Sequence, residues 1–343
     1  MRWGSRLTVV VAIGLGPVAC ASIPDPPAPV AAPAPPDVAR LPGPLPPPPP
    51  GLSPAAAPLP VLPLDISVRP YRPRQASVVS VRVVEPPGPP LEKPSATLAG
   101  LPLSLVRDDD GWVALGPLPL DSAGVLMLEI AGTRNGAPVL ERRAVVVRPR
   151  SYESTRIGIS GGAASDPEVD ARIARERELI QDRLRSSEPR WYPTGPFEWP
   201  RPPVRTSPFG QRRVFNGAVQ SRHMGLDLRG RRGQPAVAAA AGRVLLTGSF
   251  YYQGNAVYVD HGLGLVTAYF HFSSVEVEEG QLVEAGQLLG RVGSTGRSTA
   301  PHLHWSAYVD GVNVDPESLI GFEPGVHVDT PRAEADAERE RQR

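Results

Sequence analysis

The sequence predicts a mainly β protein with an immunoglobulin-like sandwich over residues 64–148, a helical linker over 149–199 and an antiparallel β domain over 200–322. Three observations predict it. Short alternating apolar stretches such as Ser77–Val84, Gly124–Ile130 and Glu141–Val147 are separated by the turn signals Pro86-Pro-Gly88, Asp108-Asp-Asp-Gly111 and Asn135-Gly136, a spacing suited to a small sandwich. One charged run with apolar residues at helical spacing then follows. From Pro200 onward short strands rich in glycine recur, with no long helical period.

A chain of 343 residues, 41% of them hydrophobic, holds two domains plus linkers. The formal net charge of +1 supplies no basic field for nucleic acid. The single cysteine, Cys20, excludes an internal disulfide and a thiolate metal cluster.

Residues 1–22 read as an export segment: Arg2 and Arg6, an apolar run from Leu7 to Val18, then Ala19-Cys20-Ala21. The run is short for a membrane span. A small-residue pair before cysteine resembles a bacterial lipoprotein signal, which implies a lipid anchor at Cys20 and a membrane-anchored periplasmic protein. The same residues fit ordinary signal cleavage, which releases a soluble exported one. Residues 23–63 form a proline-rich linker in which Pro46 to Pro50 is unbroken. Proline excludes helix and ladder interiors there, so an extended tether is expected.

The sandwich region contains no histidine and no cysteine, and reads as a spacer or wall-targeting module. In the linker, Ser165-Asp-Pro-Glu168 resembles a capping box with proline in the first turn. Val169, Ile173, Ile180 and Leu184 then give a thin apolar stripe, as for a helix lying along a domain surface. The aromatic segment Trp191–Trp199 reads as packing. Residues 323–343 are a charged tail.

Chemistry concentrates between Ser221 and Trp305, which hold five of the six histidines in the chain. His302 and His304 are two apart in an alternating stretch, so on a strand both imidazoles face one way. His223-x-x-x-Asp227 supplies an imidazole and a carboxylate, with Gly225 favouring a loop that enters a strand over a helical turn. Two imidazoles and one carboxylate suit zinc, and three protein ligands leave one position open for water or substrate, as in a catalytic site.

The order of short motifs resembles the lysostaphin-type, LytM-like zinc endopeptidases that cut the peptide part of bacterial peptidoglycan. The matching stretches include Ser207–Arg212, His223–Asp227, Gly233–Ala239, Asp260–Gly264, Tyr269-Phe-His271, Gly290–Gly293 and Pro301–His304, within residues 200–322. The resemblance implies metal ligands His223, Asp227 and His304, with His302 and His271 as catalytic histidines beside zinc. It implies peptidoglycan as substrate, and it leaves open a regulatory cell-envelope partner. It also leaves a second class: non-catalytic LytM-like regulators that activate a separate wall amidase, which lack ligands present here. His261 reads as a packed structural residue, His327 as solvated. Ala300, Trp305, Phe270 and Phe272 depart from the family pattern, and the two phenylalanines are expected to narrow the groove.

Overall fold

The structure, a computed structural model, describes residues 63–156, 166–215 and 218–325. The expected export segment with Cys20, the proline-rich linker up to Leu62, Ser165 and the tail from 326 with His327 lie outside the described residues.

The first module has eight strands: β1 (Asp65–Arg69), β2 (Val78–Val84), β3 (Glu92–Leu98), β4 (Leu101–Leu103), β5 (Val106–Asp108), β6 (Gly111–Pro117), β7 (Gly124–Arg134) and β8 (Ala137–Val147). They form two four-stranded antiparallel sheets, ordered β1-β2-β6-β5 and β4-β3-β7-β8. Asn135 and Gly136, both at positive φ, make the two-residue turn between β7 and β8. Val79, Val81 and Val83 face Leu98, Leu128 and Ile130 across the module core. Val78, on the other face of β2, joins Val113 and Leu115 of β6 in the core of the second domain. A strand covered on both faces explains why β2 carries so many valines.

Between the modules, β9 (Ser154–Arg156) precedes α1 (Pro167–Leu184). Asp166 caps α1, its carboxylate accepting the Glu168 N–H. The capping-box reading therefore shifts by one residue. The proline at the first helical position sets this start, since Pro167 has no N–H to be capped. Ile180 and Leu184 pack on Leu246, Tyr258 and Val266, while most of the helix faces solvent. Trp191 and Phe197 are buried in the second domain's core, and Trp199 lies 5.9 Å from Trp305, consistent with a packing role.

The second domain is built on β10 (Arg205–Ser207), β11 (Arg212–Phe215), β12 (Ala218–Arg222), β13 (Leu226–Arg229), β14 (Pro235–Val237), β15 (Gly242–Phe250), β16 (Gly254–Gly262), β17 (Leu265–Val275), β18 (Leu282–Val283), β19 (Leu288–Val292), β20 (His302–Val309) and β21 (Val312–Val314). Its main sheet runs β10-β13-β20-β17-β16-β15-β18, with antiparallel neighbours throughout. Tyr251 to Gln253 form the turn between β15 and β16; β15 itself is an addition to the sequence reading. A smaller sheet, β12-β11-β9, recruits the linker strand β9 in parallel to β11. Among the described residues no helix is long and apolar enough to cross a membrane.

Candidate metal centre and groove

Strand register sets the site. Asp227 of β13 lies directly opposite His304 of β20, and Arg229 opposite His302. Because His302 and His304 are two apart, both imidazoles reach the Asp227 side of the sheet, His302 Nε2 at 3.5 Å and His304 Nδ1 at 2.8 Å from Asp227 Oδ1. His223 enters from the loop after β12, held by its own N–H donating to the Gln211 carbonyl and by its carbonyl accepting from Gly210. Its Nε2 lies 3.1 Å from Asp227 Oδ1 and 3.1 Å from His304 Nδ1.

The outer ring atoms fix which nitrogens carry protons. His223 Nδ1 is 3.0 Å from the Pro208 carbonyl, which can only accept, so that nitrogen is the donor. His304 Nε2 lies 2.9 Å from Ser306 Oγ, which itself donates to the Met224 carbonyl, so here too the ring donates outward. The inner nitrogens of both rings then present lone pairs towards one carboxylate oxygen. Three mutually close acceptors repel one another unless a cation lies among them. Their separations approach the roughly 3.3 Å edge of a tetrahedron with metal bonds of about 2.0–2.1 Å. His223, Asp227 and His304 form the one group among the described residues whose donor set could hold a metal ion. Their outer partners are of the kind that orients metal-binding imidazoles.

Close approach at Gly225 is part of this arrangement. A Cβ there would lie 2.3 Å from His304 Nε2 and 2.6 Å from Ser306 Oγ.

His271 reaches the same groove by a different device. Strict alternation along β17 would send Phe270 and His271 to opposite faces. Instead the β16–β17 register slips between Asn255 and Val257, and His271 takes a φ of 66°. This local bulge turns both side chains into the groove and returns Phe272 to the core. Phe272 therefore does not narrow the groove; Phe270 alone lines it. His271 Nδ1 donates to the Thr295 carbonyl at 2.8 Å, and its ring centroid is 4.8 Å from that of His302. His302 Nδ1 donates to the Ala300 carbonyl at 2.7 Å.

Electrostatics separate His302, His304 and His271. Burial favours a neutral Asp227, but the His223, His302 and His304 rings gathered around it outweigh this and hold the carboxyl well below the usual range. Burial lowers His302, yet its bonds to Asp227 and the Ala300 carbonyl outweigh this and raise it. Burial pushes His304 down. Burial, then the neighbouring His304, takes His271 down to about 4. His261 is fully buried between the Ala241 carbonyl and Thr267 Oγ1, at 2.8 and 2.7 Å, away from the cluster, as its structural reading expects.

The centre lies in a cavity of about 580 Å³. Thr155, Arg213, Tyr252 and Arg297 also line it; none was singled out from sequence, because each comes from a stretch with no chemical pattern of its own. Ser306 was legible as a member of the His302 and His304 face, though its bond to His304 was not.

A β groove with two histidines and one carboxylate converging on its floor is a candidate metal centre. The model of Peptidase family M23 matches residues 221–316. The chain is 40% identical over 114 residues to the DD-carboxypeptidase/endopeptidase Mpg of Neisseria meningitidis, covering 33% of this chain and 26% of that protein. It is 37% identical over 101 residues to the murein hydrolase activator NlpD of Salmonella dublin, covering 29% and 26%. The structure of a candidate peptidase M23 from Pseudomonas aeruginosa aligns with a TM-score of 0.53 and 29% identity, over 73% of this chain and 96% of that one. The chain spans about a quarter of the length of the curated relatives it matches. Residues 221–316 thus resemble peptidase family M23, and this part of the chain is similar to LytM-like peptidoglycan hydrolases.

Proposed function

We propose that this chain is an exported zinc endopeptidase that hydrolyses peptide bonds, in crosslinks or stems, of bacterial cell-wall peptidoglycan. The observation that carries the reading is the convergence of three lone-pair donors, His223 Nε2, Asp227 Oδ1 and His304 Nδ1, with both imidazoles donating their other N–H outward. Zinc bound there supplies Lewis acidity that makes water nucleophilic near neutral pH. His302 holds a proton at Nε2, favoured by Asp227, and can pass it to the leaving amide nitrogen. His271 keeps Nδ1–H on the Thr295 carbonyl, which leaves Nε2 free to accept a proton or to face the developing oxyanion as a donor once protonated.

In the same reading residues 64–148 are an immunoglobulin-like sandwich. The orders β1-β2-β6-β5 and β4-β3-β7-β8 support it, since they follow the A-B-E-D and C′-C-F-G arrangement of that fold. Export to the envelope agrees with a wall substrate, with Cys20 as lipid anchor.

The second reading, a non-catalytic activator, draws on the similarity to NlpD. The complete donor set weighs against it. Digestion of purified sacculi by the zinc-loaded full chain, with and without chelator, tests the two: chelator-sensitive release of peptide fragments is expected. No release, together with stimulation of a wall amidase, would establish the activator instead.

A further inference from the structure

We propose that Arg213 and Arg297 are specificity residues that bind substrate carboxylates, so that the groove selects peptides bearing free carboxylates beside the scissile amide. The inference rests on the hydrolase reading above for its substrate class, while its binding component stands without turnover.

The groove holds an excess of cationic side chains that its own residues do not satisfy. Asp227 is the one carboxylate lining it, and three imidazoles already occupy that group. Arg213 and Arg297 line the same cavity, and among the described residues neither guanidinium has a carboxylate partner. Glu176 of α1, close by at the β15–β16 turn, is engaged by Arg172 and the Tyr251 N–H and does not line the groove.

Both arginines are held in place by the fold. Arg213 is half-buried on β11, paired with Ser221 of β12 on one side and Thr155 of β9 on the other. Arg297 belongs to the loop between β19 and β20, which is pressed onto the β15–β16 turn. Gly296, at φ +68°, permits this: a Cβ there would lie 2.2 Å from the Gly254 nitrogen. The Arg297 N–H donates to the Tyr252 carbonyl at 2.9 Å, and its guanidinium carbon lies 5.7 Å from the centre of the Tyr252 ring. A guanidinium that rests on an aromatic ring keeps its in-plane N–H donors for another group, and the planar fork matches a carboxylate in bidentate fashion. Stem peptides of peptidoglycan carry such carboxylates, whereas an uncharged bridge peptide offers none.

The test uses the full chain and one synthetic crosslinked stem peptide in two forms, with free carboxylates and with those carboxylates converted to amides. The acid form is expected to be preferred about tenfold or more in kcat/KM, chiefly through KM, because uniform binding is what such contacts contribute. Arg213→Ala and Arg297→Ala should each reduce the preference, Arg297→Lys should retain part of it, and Arg232→Ala, at an exposed position outside the groove, should leave it intact. Equal KM for the two forms, or an unchanged preference in both alanine variants, overturns the inference while leaving the hydrolase reading standing. Fluorescence anisotropy with both peptides on chelator-treated protein supplies the second readout. Arginine-dependent tighter binding of the acid form, together with no cleavage by the zinc-loaded full chain, upholds carboxylate selection and removes the hydrolase reading. Equal binding of the two forms removes the selection.

Discussion

The Phe270 ring lies flat against the His304 imidazole, with centroids 5.1 Å apart and planes 5° from parallel. Together with Ser306 on the opposite ring nitrogen, this contact fixes the orientation of a candidate metal ligand. Phe270→Leu keeps most of the apolar volume and loses the flat contact. Zinc affinity is expected to fall roughly tenfold, as for other losses of outer support, with little change in Tm. Competition titration against a chromophoric chelator measures it, and an unaltered affinity would show that the stacking is incidental.

The paired histidines of β20 should separate metal binding from turnover. His304→Ala removes one of three converging donors and is expected to abolish stoichiometric zinc. His302→Ala should retain zinc while lowering kcat by about 10²–10⁴, the usual range for a lost proton-transfer group. Metal analysis and sacculus digestion of the two variants side by side provide the check; wild-type digestion by His302→Ala is the outcome that removes its assigned role.

Gly225→Ala should weaken the centre without unfolding the domain. The new methyl would meet His304 Nε2 and Ser306 Oγ, atoms whose mutual hydrogen bond sets the ring's tautomer. Reduced zinc occupancy with a near-normal circular dichroism spectrum is expected. Full occupancy would mean that the loop yields more readily than its contacts suggest.

Away from the groove, His261 couples stability to pH. Burial lowers it from the ordinary 6.5 to about 4, so the unfolded chain binds the extra proton over that interval. Its contribution is fully present above pH 6.5, declines as pH falls, and is lost through pH 4. The whole effect is at most about 3 kcal/mol. Denaturant unfolding of metal-free protein between pH 7 and 4 should record this decline, and replacing His261 with glutamine should flatten that part of the profile.

Much of this architecture was readable from residue order, for reasons that differ by element. The β20 histidines follow strand alternation, a rule of period two that needs no tertiary knowledge. Asn135-Gly136 announced its turn because few other pairs tolerate positive φ twice in succession. His271 was different: its direction depends on a bulge within β17, and family resemblance pointed to it where alternation could not. The helix cap was misplaced by one residue because Ser165 and Asp166 both have capping side chains, and Pro167 decides between them. Strand β15 was overlooked because Gly242–Phe250 contains two glycines and a threonine-serine stretch that dilute its apolar signal. Arg213 and Arg297 gain significance only from what surrounds them in three dimensions.

Strand β9 has a practical implication for anyone dissecting the molecule. Its three residues belong to the stretch that joins the two modules, yet Ser154, Thr155 and Arg156 hydrogen-bond alongside Arg212, Arg213 and Val214, and Thr155 lines the cavity. A fragment trimmed to start at residue 200 would be missing one border of its own cleft and would bare the flank of β11 to water or to a stray peptide. Selectivity measured on such a truncated piece would describe a wider, looser cleft than the one the intact polypeptide presents.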